Sequence, residues 1–348
     1  MPTATALEMT AQFKGQTLRL PNLKGLLAKW PNTINPHYEE LKGIVECKIV
    51  EWISDEASRA KARKVDLAFF SAAWYPYCTL DRLKTMCWYS MWIFLWDDVI
   101  EDSTVPVRTV QQQALNYMEY HLGLAPANTD EPRPPTKYCA LFQHCAKPLR
   151  EEQTITERRR FLDQIANYME GCETEQTFVQ GGKIPTLQEY WDHRLQTSSV
   201  WTYCAIADYM AGVHLPEDVY ETDDLKTLWF ELNRHIVTLN DMVSFKKEVV
   251  KCSFHSLIPV VMRETGEDLD AVVQSLIKSL VSIGDSLDSA VDALIAKTED
   301  DHELKTAVEK YAMGFRTNMT GNYWWSLVCD RYSINKYLQE DGSLVIPL

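Results

Sequence analysis

Residues 229–248 read WFELNRHIVTLNDMVSFKKE. The first eleven are largely apolar, and the rest set Asn240, Ser244 and Glu248 four and four apart. At about 100° per helical residue these three fall near 0°, 40° and 80°, on a single face. Asn and Ser hydrogen-bond to nearby backbone outside helices and are poor helix-interior residues. Their mid-helix positions therefore ask for a reason beyond an ordinary polar face. An amide oxygen, a hydroxyl and a carboxylate together can chelate one oxygen-preferring metal. Lys247, near −20° on the same face, can meet a phosphate as a point charge.

A second acidic group lies upstream. WYSMWIFLWDDVIED (88–102) joins an aromatic half to an acidic half without a break. On a helix Asp97 and Glu101 share a face about 40° wide, Asp98 stands to one side and Asp102 further round. Met86, Ser90, Ile93 and Phe94 precede Asp97 on that face, so the acids sit at the mouth of an apolar stripe. Carboxylates one turn apart suit Mg²⁺, which is typically held by one or two carboxylates plus substrate phosphate.

Period-2 alternation is scarce. Helical spacing recurs over 41–53, 64–72, 80–101, 108–123, 154–179, 187–212, 224–250, 269–296 and 302–330. Breakers separate these runs: APANTDEPRPP (125–135) reads as a loop, and Thr186 with Glu189 reads as a capping box. There is no repeat and no low-complexity tract. The expected fold is all-α, one domain over 1–348, with residues 1–20 flexible. A net charge of −14 excludes a broad basic face for nucleic acid. No apolar run is long and clean enough for a membrane span. Nine scattered Cys without CxxC spacing read as reduced thiols, so a cytoplasmic location is expected.

The chain resembles microbial class I terpene cyclases, in particular fungal sesquiterpene synthases. Asp97-Asp98-Val99-Ile100-Glu101 matches their aspartate-rich motif, and Asn240, Asp241, Ser244 and Glu248 match (N/D)Dxx(S/T)xxxE. Arg331-Tyr332 follows Trp325 by six residues, as in the family's C-terminal signature, and Arg194 lies 46 residues before Asn240, where the family carries a diphosphate-sensing Arg. Thr197 and Ser198 fall at the linker and effector positions; Ser198 stands where many bacterial relatives have Gly. Helical periodicity puts Trp324, not Trp325, on Arg331's face, so the signature requires the helix to stop before the Arg-Tyr pair.

The resemblance implies a single α-helical domain with a central cavity, monomeric or homodimeric, and a Mg²⁺-dependent lyase. Its substrate would be a linear isoprenoid diphosphate, farnesyl diphosphate by analogy with relatives of this size, or a longer one for a diterpene or sesterterpene cyclase. Three Mg²⁺ would be held by Asp97 with Asp98 or Glu101, and by Asn240, Ser244 and Glu248. Arg194, Lys247, Arg331 and Tyr332 would bind diphosphate, while Phe94 and Trp325 would face the carbocation. Trp74, Tyr75 and Phe178 are read as core. A prenyl diphosphate synthase would need two aspartate-rich motifs. A di-iron bundle would need paired ExxH motifs, and only Glu299–His302 fits one. A non-catalytic relative would not need the full ligand set.

Overall fold

The computed structural model describes residues 4–101, 107–181 and 184–348; of residues 4–6, 97–101, 107, 177 and 179–181 it describes the backbone alone. The chain runs α1 (Ala4–Phe13), β1 (Thr17–Leu20), α2 (Leu23–Leu26), α3 (Tyr38–Trp52), α4 (Glu56–Val65), α5 (Leu67–Trp74), α6 (Leu80–Glu101), α7 (Val107–His121), α8 (Phe142–Glu152) and α9 (Ile155–Gly181). It continues with α10 (Leu187–Thr197), α11 (Val200–Ala205), α12 (Ala207–Ala211), α13 (Glu217–Glu221), α14 (Asp223–Lys251), α15 (Leu257–Thr265), α16 (Leu269–Ala296), α17 (His302–Val328) and β2 (Leu344–Pro347). The fold is all-α, with one small β-ribbon.

Local chemistry sets the helix ends. Thr186 accepts from the Glu189 N–H at 3.2 Å and the Glu189 carboxylate accepts from the Thr186 N–H at 2.8 Å, which closes the capping box at α10. Asp66 is left-handed at φ 49°, ending α4 while its carboxylate accepts from the Phe69 N–H at 3.1 Å to start α5. Residues 125–135 form no helix or strand.

Two sequence expectations are corrected. The run 187–212 is three helices, because Ser199 takes φ 60° and Ile206 leaves helical geometry. The Ser199 hydroxyl donates to the Ser198 carbonyl at 2.6 Å, and the Ser199 carbonyl accepts from Thr202 N–H at 3.0 Å, so a residue without Gly's freedom is held left-handed. Residues 13–20, expected to be flexible, are tied down instead. β1 pairs antiparallel with β2, Leu18 opposite Ile346 and Leu20 opposite Leu344, all four buried. Phe13 packs edge-on against Phe245 of α14 at 4.9 Å, and Lys246 donates to the Pro347 carbonyl. Burial of the apolar face outweighs the entropy of ordering the segment.

The long helices surround a cavity. α14 packs on α16 and α17, and α17 lies so close to α5 that a Cβ on Gly321 would stand 2.4 Å from the Ala73 carbonyl oxygen. Thr317 and Asn318 of α17 donate to the Trp74 carbonyl at the end of α5, each at 2.9 Å.

Candidate active site

α14 stays helical through Asn240, Ser244 and Glu248, so the sequence spacing becomes one physical face. That face lines a cavity of about 280 Å³ together with Phe70 and Trp74 of α5, Ile93 and Phe94 of α6, Glu175 of α9, Arg194 and Thr197 of α10, Ser198 at the helix break and Tyr203 of α11. Ser199, Val200, Ile236, Val237, Asp241, Lys247, His255, Asn322, Trp325, Arg331 and Tyr332 complete the wall. Asp97, Asp98 and Glu101 occupy the last turn of α6, following Ile93 and Phe94; their side chains lie outside the described residues, as does Asp102 altogether.

The cavity has a polar and an aromatic half. On the polar side Arg194 Nη2 donates to Asn240 Oδ1 and to Asp241 Oδ1, both at 3.3 Å, and Asn240 Nδ2 donates to the Tyr332 hydroxyl at 2.8 Å. Burial opposes the Arg194 charge, but Asp241 and Tyr190 outweigh it and hold the guanidinium pKa above its usual range. The Ser244 hydroxyl donates to Glu248 Oε1, while Glu248 Oε2 is buried without a hydrogen-bond partner. Burial, with Asp241 nearby, pushes the Glu248 carboxyl up to about 7 against the lowering pull of Ser244. Burial also depresses His255 to about 4, so its imidazole is neutral at pH 7.

On the aromatic side Phe94 and Trp325 stand 6.2 Å apart edge to face, with Phe70 at 5.1 Å from Trp325. The Arg331 guanidinium lies over the Phe94 ring at 4.9 Å, and Lys247 over the Tyr332 ring at 5.8 Å. Phe94 therefore touches both halves. α17 ends at Val328 and Cys329 turns to extended geometry, which folds Tyr332 back to 5.6 Å from Trp325. Trp324 faces away, against Phe69 at 5.1 Å. The helix stop that the signature requires is present.

Among the wall residues that the sequence reading missed are Phe70, Glu175, Ser199, Val200, Tyr203, Ile236, Val237, His255 and Asn322. Periodicity marks such residues as buried but cannot say which buried positions border a cavity. Trp74, read as core, also lines the cavity. Tyr75 is buried against Trp74, and Phe178 stacks on His193 at 5.1 Å; neither borders the cavity. Glu299 lies in the exposed turn before α17, bonded to Lys305 at 2.8 Å, with His302 exposed at the helix start, so no di-iron site forms there.

The donor set fits a hard cation. Three oxygen donors share a face, one of them a buried carboxylate oxygen with no hydrogen-bond partner among the described residues. The model of terpene synthase family 2, C-terminal metal binding, matches residues 89–281, which contain both motifs. The chain belongs to this family. It is a class I terpene cyclase of fungal type, a lyase with a region for divalent metal.

Sesquiterpene cyclase hepA of Aspergillus oryzae is 27% identical over 95% of this chain and 93% of its own length. Terpene cyclase braA of Annulohypoxylon truncatum is 25% identical over 96% and 91%. The α-eudesmol synthase crystal structure shares the fold at a TM-score of 0.74 and 20% identity, covering 86% of this terpene synthase and 97% of that chain. The linalool/nerolidol synthase of Streptomyces clavuligerus does so at 0.73 and 16%, covering 85% and 98%. Among the described residues of the synthase, no helix is long and apolar enough to cross a membrane.

Proposed function

We propose that this synthase converts farnesyl diphosphate, with Mg²⁺, into a cyclic sesquiterpene and inorganic diphosphate. The observation that carries this reading is one cavity with cationic and oxygen-donor groups on one side and aromatic faces on the other. Three of the sequence relatives are named as sesquiterpene enzymes.

Asn240, Ser244 and Glu248 would hold one Mg²⁺, and Asp97 with Asp98 or Glu101 two more. The metal supplies charge stabilisation for the departing diphosphate. Arg194, Lys247, Arg331 and Tyr332 converge on the same polar half and would bind the leaving-group oxygens. The C–O bond breaks with its electron pair on diphosphate, leaving an allylic cation. Electrostatic stabilisation of that leaving group is the main catalytic contribution asked of these residues. Thr197 and Ser198, at the end of α10, connect Arg194 to the helix break facing the cavity.

The hydrocarbon half of the cavity keeps water from the cation. Phe94 and Trp325 offer π faces, each worth about 0.5–2 kcal/mol to a cation, and no nucleophile. Ring closure consumes a distal double bond, and loss of a proton ends the sequence. The test is incubation with C10, C15, C20 and C25 diphosphates and Mg²⁺, with mass spectrometry of the hydrocarbons. Cyclic C15 product is expected; turnover confined to a longer diphosphate would overturn the substrate assignment, and no turnover of any would overturn the catalytic one.

A further inference from the structure

Asp241 sits inside the second motif, about 20° beyond Glu248 on the helix, and it borders the cavity as the three donors do. Yet it is 1% exposed, and protein donors engage both of its oxygens. Oδ2 accepts from the Tyr190 hydroxyl and from the Leu257 N–H at 2.6 Å. Oδ1 accepts from Arg194 Nη2 at 3.3 Å. One carboxylate thus joins α10, twice, to α14 and to the first residue of α15.

A buried carboxylate is tolerated where it is paired and hydrogen-bonded, and a carboxylate offers about four acceptor sites, of which three are used here. An Arg guanidinium is a planar fork, so fixing one nitrogen between Asn240 and Asp241 limits the plane in which the others point. Arg194 itself borders the cavity.

We propose that Asp241 is a positioning residue rather than a metal ligand: it is clamped by Tyr190 and the start of α15, and it fixes the orientation in which Arg194 meets the leaving diphosphate. The inference rests on the proposed diphosphate role of Arg194. It deepens that role by naming what aims the guanidinium. Charge alone does not supply this, because a Lys at 194 would keep the charge and lose the fork.

The experiment is a double-substitution cycle on the full chain. Arg194→Lys, Asp241→Asn and the pair are compared by kcat, KM and the rise in melting temperature with inorganic diphosphate plus Mg²⁺. Each single change is expected to lower kcat/KM at least tenfold. The pair should fall within about threefold of the worse single variant, because residues that act as one unit are non-additive. The diphosphate-induced shift should depend on residue 194 in the native background and no longer depend on it when residue 241 is Asn.

Tyr190→Phe keeps the charge and the ring but removes one clamp. It should give a smaller kcat loss with the same non-additivity, and it carries the test if Asp241→Asn does not fold. Losses that multiply in both cycles would overturn the inference. So would a drop in Mn²⁺ affinity in Asp241→Asn as large as in Ser244→Ala, which would make Asp241 a ligand. If Arg194→Ala leaves turnover and the diphosphate shift intact, the diphosphate reading of Arg194 fails first, and this inference with it. If Arg194→Ala is costly and the cycles are additive, only the positioning role fails.

Discussion

Phe94→Leu separates ionisation from cyclisation. The ring lies 4.9 Å from the Arg331 guanidinium and 6.2 Å from Trp325, so it stands between the leaving-group site and the hydrocarbon site. Leucine keeps apolar bulk but has no π face. Its loss to the cationic intermediate is about 0.5–2 kcal/mol. At about 1.4 kcal/mol per tenfold, competing branches shift by roughly 2- to 30-fold. The contact with Arg331, partly exposed, is worth about 0.5–1 kcal/mol, so KM should rise roughly 2- to 5-fold. The stability cost of the smaller side chain is about 1 kcal/mol, a fall of a few degrees in Tm at most. Product ratios by gas chromatography, diphosphate release and Tm are measured on the same preparation. The expected result is retained diphosphate release with a shift toward acyclic or earlier-terminated products. An unchanged product ratio with only a lower Tm would refute the argument and leave Phe94 as packing.

Asn240→Ala and Glu248→Ala should each lower kcat at least 100-fold with little loss of Tm, since Glu248 is a buried carboxyl held up to about 7 by burial; near-native turnover at low Mg²⁺ in either variant would remove the second motif as the metal site. Gly321→Ala forces a Cβ to 2.4 Å from the Ala73 carbonyl oxygen and should cost about 1–3 kcal/mol, read as a lower urea midpoint at unchanged m. His235 is fully buried, and burial lowers its pKa to about 3. Between pH 3 and the unfolded value near 6.5 the unfolded chain binds more protons, so this group's contribution to stability is present above about 6.5 and is lost as pH falls toward 3. His235→Phe should flatten that limb of the stability–pH curve, by an amount on the order of a few kcal/mol; an unchanged slope would refute it.

The long helices and the second motif were legible because 3.6-residue periodicity and four-residue spacing survive in the sequence. Short elements were not. α4 carries EASRAKARKV, too charged to show an apolar stripe, and α8 contains Pro148, which argues against a helix interior. α15 spans nine residues after a stretch with no clear cap. β1 and β2 have four residues each, below what alternation can resolve. The break at Ser198-Ser199 has no Gly or Pro to announce it, and hydroxyl bonds to neighbouring carbonyls make the turn instead. Asp241 matched the motif by identity, but only its three donors, distant in sequence, show what it touches.

The β1–β2 ribbon has a consequence for synthesis. Thr17 pairs with Pro347, so one strand leaves the ribosome about 330 residues before its partner. At about 5–20 residues per second the apolar side chains of Leu18 and Leu20 wait roughly 15–65 s for their cover. The pairing closes the largest loop in the chain, and such long-range contacts form late. Until residues 344–347 emerge, β1 has no pairing partner, and Leu18 and Leu20 lack the cover that Leu344 and Ile346 give them.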